Sequence, residues 1–234
     1  MSDGSPSDSN LLTHWDASAM PASGAWEQKR RLAAAMRLVI GRLVRSNAPE
    51  KELRAAAEGL ERYAEQLATH EQLTRYEGYA ESTLAGDVGA FFDQSPLIGL
   101  ANPLAPPISI RQTGERCAEG RVTFGAAYEG PPGCVHGGFV AAAFDEVLGF
   151  AQSLTGSPGF TGTLTVVYRQ PTPLHTELRF DANVVSQERR KIFTEGRVTA
   201  ADLITAEAQG IFISVDREKF LRLLEARQKL DPET

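Results

Sequence analysis

Apolar residues recur at helical spacing in two stretches near the start of the chain. The first stretch runs from about residue 27 to 45, and the second follows Asn47 and ends near His70. Pro49 stands at an early helical position, where its missing N–H removes no hydrogen bond. The apolar positions are Leu32, Met36, Leu38, Val39 and Leu43, then Leu53, Ala56, Leu60, Tyr63 and Leu67. This pattern predicts two amphipathic helices that form a helical hairpin over residues 26–70.

The hydrophobic period changes to two in the second half of the chain, which is typical of strands. Strands are predicted at 108–112, 121–124, 163–169, 177–185, 191–199 and 204–215. One apolar helix, 137–154, interrupts this β-rich sequence, and the small residues Ala206, Ala208 and Gly210 leave room for it against the last strand. The order β-β-α-β-β-β-β predicts an α+β domain over residues 106–216, an antiparallel sheet wrapped around a central helix.

The remaining segments show no strong period. Residues 1–25 are rich in Ser, Gly, Asp and Pro and are expected to form a flexible leader. Residues 71–105 are mixed in character, and prolines in and just after them break any long element, so we expect a connector that packs on the sheet domain. Residues 217–234 are predicted to form a C-terminal helical tail.

Composition and charge exclude several classes of protein. The 234-residue chain is 42% hydrophobic, and its 24 Lys and Arg against 30 Asp and Glu give a net charge of −6. This charge provides no cationic field for nucleic acid or an anionic membrane. The sequence has no secretory signal and no stretch of about 18 apolar residues, and Cys117 and Cys134 provide no disulfide framework. We therefore expect a cytoplasmic protein that binds no nucleic acid and has no membrane span.

The densest chemical signal is a glycine-rich loop, GPPGCVHGGF, at residues 130–139, which runs directly into the predicted central helix. Glycines let a ligand approach the backbone closely, and the first N–H groups of a helix have no intrahelical acceptor. Because the helix dipole adds to this effect, Gly137 and Gly138 are candidates for holding a carbonyl oxygen that develops negative charge. A glycine-rich turn without a chemical role is the alternative interpretation of the loop alone.

A carboxylate, Asp145, lies inside this otherwise apolar helix, where it is poorly solvated unless it faces a cavity or a partner. It is a candidate base, whereas Glu146 on the next face is expected to be a solvated surface residue. Gly138 and Asp145 are about two turns and ~10 Å apart along the helix, too far to act on one carbon. If both act on one substrate, they come from two antiparallel copies of the helix across a two-fold axis. We therefore predict an obligate homodimer, or a dimer of dimers.

Other catalytic chemistries have weaker support. Cys134 and His136 could form a thiol nucleophile pair, but two residues so close on a loop have no assured geometry, and a buried inert thiol is the alternative. After His70, Thr74 stands where a zinc HExxH helix needs its second His. The motifs of serine hydrolases, P-loop enzymes and nicotinamide enzymes are absent from the sequence. We expect neither a metal nor a redox cofactor.

The segment Val135-His136-Gly137-Gly138, followed by Asp145, Thr161 and the strand LTVVYRQPTPL at residues 164–174, resembles the hotdog-fold acyl-CoA thioesterases of the HGG type. The resemblance includes their phenylacetyl-CoA thioesterase-like branch and covers about residues 100–216. It is specific because all of these elements occur in register. It implies that the sheet wraps the helix and that paired subunits supply a composite site.

The resemblance also implies a role for each matching residue. The Gly138 N–H would polarise the thioester carbonyl, and Asp145 of the other subunit would activate water or attack directly. Thr161 would help to hold that water, and His136 would shape the loop and orient the thioester. The residues expected to contact the substrate and the coenzyme A phosphates are Gly137, Arg169, Arg189, Arg190 and Lys191. For the three-residue basic turn, a solvated hairpin tip is the alternative.

The leading hypothesis from the sequence is hydrolysis of an acyl-CoA thioester to a carboxylic acid and coenzyme A. The alternative from another class is a non-catalytic acyl-CoA-binding or sensing module, whose helical hairpin would transmit the bound state to a partner. Thioesters on a carrier protein remain open as substrates. A hotdog dehydratase is disfavoured, because the Asp/His pairs of that chemistry are missing.

Overall fold

The computed structural model of the chain describes residues 14–15, 22, 24–70, 93–157 and 159–214. Its helices are α1 (Gly24–Leu43), α2 (Glu50–Ala68) and α3 (Gly137–Ser153). Its strands are β1 (His14–Trp15), β2 (Ser109–Gly114), β3 (Cys117–Thr123), β4 (Gly159–Tyr168), β5 (Glu177–Glu188), β6 (Lys191–Ala200) and β7 (Leu203–Ser214). The predicted tail, most of the leader and residues 71–92 of the connector lie outside the described residues.

The described strands form one antiparallel sheet in the order β1-β2-β3-β5-β6-β7-β4. The predicted α+β architecture, with its N-terminal helices, is confirmed. The turn between β2 and β3 is shorter than the sequence predicted. Gly114 pairs with Cys117, so that only Glu115 and Arg116 form the connection. A two-residue hairpin loop is sufficient to reverse an antiparallel chain.

Helix α3 packs across one face of the sheet and carries the centre of the core. Its buried apolar residues are Val140, Ala143, Phe144, Val147, Leu148, Phe150 and Ala151. The sheet comes close to this helix where it has no side chain, because a Cβ at Gly120 would lie 2.5 Å from Val147 and one at Gly210 would lie 3.4 Å from Leu148. The small residues of β7 therefore make room for the helix, as predicted.

Helix α1 is attached to the body through residues 93–102. The Arg30 Nε and the Trp26 indole N–H both donate to the fully buried carboxylate of Asp93, the former at 2.6 Å. Seven residues after Arg30, about two turns further along α1, the Arg37 guanidinium donates to the backbone carbonyls of Leu100 and Asn102. These contacts fix one face of α1 and leave its opposite face at the surface.

Helix α2 differs from α1, because every one of its side chains is exposed. The connection from α1 runs through residues 44–49, and Pro49 occupies the N-cap position of α2. Arg45 in this connection lies 3.6 Å from the Glu129 carboxylate, beside the glycine-rich loop. The start of α2 is therefore held close to the loop that precedes α3.

Candidate active site

His136 ends the glycine-rich loop and caps α3. Its backbone is extended, and its ring Nδ1 accepts a 3.1 Å hydrogen bond from the Gly138 N–H. The loop behind it is fixed by backbone hydrogen bonds, from the His136 N–H to the Tyr128 carbonyl at 2.9 Å and from the Val135 N–H to the Thr172 carbonyl at 2.8 Å. The His136 ring is thus a side-chain acceptor that satisfies one of the orphan N–H groups of the helix.

Gly137 presents the free backbone donor at this helix end. Its N–H has no hydrogen-bond partner among the described residues, whereas the Gly138 N–H is engaged by His136. The Gly137 carbonyl accepts a 2.7 Å hydrogen bond from the Tyr168 hydroxyl, and a Cβ at Gly137 would lie only 3.2 Å from the Tyr168 ring. Sequence reasoning assigned Tyr168 no role. The one signal was its place in the LTVVYRQPTPL strand.

Asp145 and Thr161 lie together. The Thr161 hydroxyl, near the start of β4, donates a 2.7 Å hydrogen bond to Asp145 Oδ1. Asp145 is partly buried and Thr161 is exposed, so that the pair opens toward the outer edge of the sheet. The bond fixes the carboxylate while leaving its second oxygen available to a water or a substrate.

Glu146 is not the solvated surface residue that the sequence predicted. Its side chain is partly buried, and the Ser95 hydroxyl lies 3.3 Å from its Oε1. Burial, with a smaller contribution from the Asp145 carboxylate, raises the pKa of Glu146 to about 7. The prediction was wrong because residues 93–99, which have no regular period, fold over this face of α3 and cover it.

Within one chain the two halves of the candidate site stay apart. Gly137 and Asp145 are separated by eight residues of one helix, about 12 Å along its axis. A reacting carbonyl needs its base and its oxyanion donor within about 3 Å. No residue of α3 or β4 bridges this distance in the described chain. The Gly137 end and the Asp145 end of α3, the two candidate half-sites, therefore cannot act on one carbonyl within a single chain.

The predicted basic residues are also divided between two places. Arg169 follows β4, where its backbone N–H bonds to Thr205 and its side chain forms a 2.7 Å ion pair with Glu207. Arg190, in the exposed β5–β6 turn, donates to the Ser214 carbonyl at 3.0 Å. Thr205 and Ser214 are nine residues apart on β7, about 30 Å. Arg169 lies at the Gly137 end of the molecule, and the basic turn lies at the Asp145 end.

A cleft of about 640 Å³ opens on the solvent face of the sheet, and one of the predicted coenzyme A contacts, Arg169, lies in its wall. Thr165 and Val167 of β4 and charged residues of β5, β6 and β7, which include Asp181, Arg197 and Glu207, line the rest of it. Cys134 makes only a weak 3.6 Å contact from its thiol to the Pro132 carbonyl. In the described part of the chain, no three His, Cys, Asp or Glu residues lie close enough together to hold a metal ion. None of the helices described there is both long and apolar enough to cross a bilayer.

Comparisons with known proteins agree with this architecture. Residues 132–207 match the thioesterase superfamily family model. A crystal structure described as a thioesterase superfamily protein is 31% identical, with a TM-score of 0.72, over 83% of this chain and 97% of that protein.

Two curated relatives are each named acyl-coenzyme A thioesterase THEM4. The one from Xenopus laevis is 34% identical over 93 residues, 39% of this chain and 42% of the relative. The one from Bos taurus is 35% identical over 97 residues, 41% of this chain and 40% of the relative. The chain thus spans less than half the length of these two relatives. The fold is the predicted hotdog, and the chain belongs to the thioesterase superfamily.

Proposed function

We propose that this protein hydrolyses acyl-coenzyme A thioesters to a carboxylic acid and coenzyme A. The observation that carries the proposal is the Asp145 carboxylate, held by the Thr161 hydroxyl, on the same helix that begins with a free N–H at Gly137. A base and an oxyanion donor are the two groups that thioester hydrolysis by water requires. The names of the curated relatives support the acyl-coenzyme A substrate class.

The active unit of this proposal is a homodimer joined through β4. This strand ends the sheet, and Phe160, Val167 and Tyr168 are 55%, 41% and 52% exposed along it. An exposed strand edge is a template for pairing with another chain. Antiparallel pairing centred between residues 164 and 165 would place Thr161 opposite the partner's Tyr168. The Asp145 half-site of one chain would then face the Gly137 half-site of the other.

The proposed chemistry uses few groups. Asp145 accepts a proton from a water molecule, whose oxygen attacks the thioester carbonyl carbon. The resulting oxyanion is held by backbone N–H groups of the partner's loop. When the carbon–sulfur bond breaks, the sulfur leaves with the electron pair and receives the proton from Asp145, so that the products are a carboxylic acid and a thiol. Because Thr161 holds Oδ1, the other carboxylate oxygen receives the water proton.

Among the backbone N–H groups of the loop, we propose that of Gly137 as the main donor to the oxyanion. Its N–H has no partner in the described residues, whereas the Gly138 N–H donates to the His136 ring. Gly138 takes its predicted part in holding the oxyanion only when His136 releases that bond. His136 would then have the predicted second role of orienting the thioester, because its ring lies at the Gly138 amide.

The same dimer would assemble the basic residues. Antiparallel pairing of β4 places the partner's Arg169 near the turn formed by Arg189, Arg190 and Lys191, although the two groups lie at opposite ends of one chain. Arginine guanidinium groups bind phosphate oxygens in pairs of hydrogen bonds, and lysine adds a point charge. We propose that these residues hold the coenzyme A phosphates at the subunit boundary.

Release of free thiol from a panel of acyl-coenzyme A esters tests the proposal. Asp145→Asn should lower turnover by ~10²–10⁴-fold, the usual loss for a general base, with the dimer mass unchanged. The control is Asp202→Asn, the same change in the exposed turn between β6 and β7. If the wild-type chain binds a non-hydrolysable thioether analogue but releases no thiol, the protein is a binding module and the hydrolase proposal is wrong.

A further inference from the structure

We propose that α2 docks on the outer face of α1 in a second copy of this chain. Leu53, Leu60 and Leu67 form a stripe along α2 at intervals of seven residues, and they are 42%, 52% and 46% exposed. An isolated helix of about 19 residues is only marginally stable in water, and most helices in proteins depend on a packed apolar face. In the part of the chain that the structure describes, no residue covers the leucine stripe of α2, which leaves it available to another surface.

Helix α1 offers a matching surface. Met36, Val39 and Leu43 are exposed at intervals of three and four residues, the spacing of a helix–helix seam. They lie about 60–120° around α1 from Ala33, which is buried against the body, and so form a stripe along one flank of the helix. The two helices are also similar in length, about 30 Å for α1 and about 28 Å for α2.

The connection between the helices keeps these two surfaces apart within one chain. Backbone bonds from the Arg45 N–H to Arg42 and from the Ser46 N–H to Leu43 form a tight turn after α1. Ser46 Oγ then accepts from the Ala48 N–H, and Pro49 starts α2. Because both apolar stripes are exposed after this turn, they do not cover each other within the described part of one chain. A second copy offers the same two surfaces without this restriction.

Charge complementarity favours α1 as the occupant of the α2 stripe. Helix α1 carries five Lys and Arg against one Glu, but Arg30 and Arg37 contact the body, so that three basic residues and one Glu, a net charge of +2, remain for a partner. Helix α2 carries three Lys and Arg against five Glu, a net charge of −2. Pairing two α2 helices would bring like charges together. An anionic membrane is also disfavoured, because helices that lie on such membranes carry basic polar faces. Reciprocal docking in a pair of chains covers both stripes of both chains and closes the assembly.

Cross-linking between two different chains tests the docking. One chain carries Val39→Cys and the other Leu60→Cys, with different affinity tags, and Cys117 and Cys134 are replaced by Ser in both. After co-expression, a short bis-maleimide should give a product that contains both tags. Arg62→Cys, about 200° around α2 from Leu60, is the matched control and should give none. A product of two Leu60→Cys chains, or no product at all, would refute the proposal.

A chain that carries both Val39→Cys and Leu60→Cys distinguishes docking of α2 on α1 of a second chain from docking of α2 on α1 of the same chain. Reciprocal docking predicts a cross-linked dimer, whereas a monomer of altered mobility would show that the helices close on each other and would overturn the inference.

Substitution of the stripe provides a second measurement. Leu60→Glu should remove the helical far-ultraviolet circular dichroism of α2 and the cross-link between Val39→Cys in one chain and Leu53→Cys in the other. Arg62→Gln changes the net charge by the same amount on the opposite face and should retain both signals. Retention of both signals by Leu60→Glu would contradict the docking. Thiol release is assayed separately, so that failure of the hydrolase proposal does not affect this result.

Discussion

Glu146→Gln should change how the stability of the protein depends on pH. Burial and the neighbouring Asp145 carboxylate raise the pKa of Glu146 from 4.5 to about 7 in the folded chain. Between these two values the folded state holds a proton that the unfolded state has lost. The contribution of the protonated Glu146 to stability is therefore fully present below pH 4.5 and is lost as the pH rises through about 7. Glutamine has nearly the same shape and does not ionise.

The size of the effect follows from the pKa difference. About 2.5 pKa units at about 1.4 kcal/mol each give an upper value of about 3.5 kcal/mol. Because Asp145 contributes to the shift and the Ser95 hydroxyl opposes it, each neighbour should change the result in a known direction. Asp145→Asn should lower the pKa of Glu146 and so narrow the pH range over which stability is lost. Ser95→Ala should raise this pKa and widen the range.

Urea unfolding at about pH 5 and about pH 8 measures this effect. Relative to the wild type, Glu146→Gln should gain stability between the two pH values, by up to about 3.5 kcal/mol. Glu188→Gln is the matched control, because Glu188 is exposed at the end of β5 and a solvated carboxylate meets similar surroundings in the folded and unfolded chain. A stability difference between wild type and Glu146→Gln that is the same at both pH values would refute the burial of this carboxyl.

Three further substitutions test other contacts. Thr161→Val should lower kcat by about 10–100-fold, because it removes a hydrogen bond to a charged group. Thr161→Ser keeps the hydroxyl and should retain most of the wild-type kcat. Equal kcat values for the two variants would contradict the role of the hydroxyl. Tyr168→Phe should lower kcat less than about tenfold without unfolding the chain, because it removes one neutral hydrogen bond to Gly137, and an unchanged kcat would show that this bond does not position the loop. Asp93→Ala should destabilise the protein by about 3–5 kcal/mol in urea unfolding, because it breaks a buried ion pair with Arg30; a loss below 1 kcal/mol would show that α1 is held by other contacts.

The central part of the fold could be predicted from the sequence because its signals are local and periodic. The alternation of β5, β6 and β7 and the apolar spacing of α3 both follow from burial on one face, and the structure confirms them. The proximity of Asp145 and Thr161 could be expected for a related reason. A carboxylate inside an apolar helix needs a polar neighbour, and the next strand supplies it.

Contacts between distant segments could not be predicted in this way. Ser95 is 51 residues before Glu146, in a segment without a hydrophobic period, so nothing local to Glu146 indicated that it would be covered. The sequence could not show which N–H group is free, that of Gly137 or that of Gly138, for a similar reason. Both are small residues at the start of one helix, and only the position of the His136 ring determines which N–H is engaged.

Two elements of the fold lead separately to the same assembly. Along α3, about 12 Å separates the Gly137 N–H from Asp145, and along β7, about 30 Å separates the ends at which Arg169 and Arg190 lie. In both cases one member of the pair lies at the Thr161 end of β4 and the other at the Tyr168 end. A two-fold axis through the middle of β4 exchanges these ends, so one operation unites both pairs. In the proposed dimer, a substrate that reaches from Asp145 to the partner's oxyanion donor would therefore cross the boundary between two subunits.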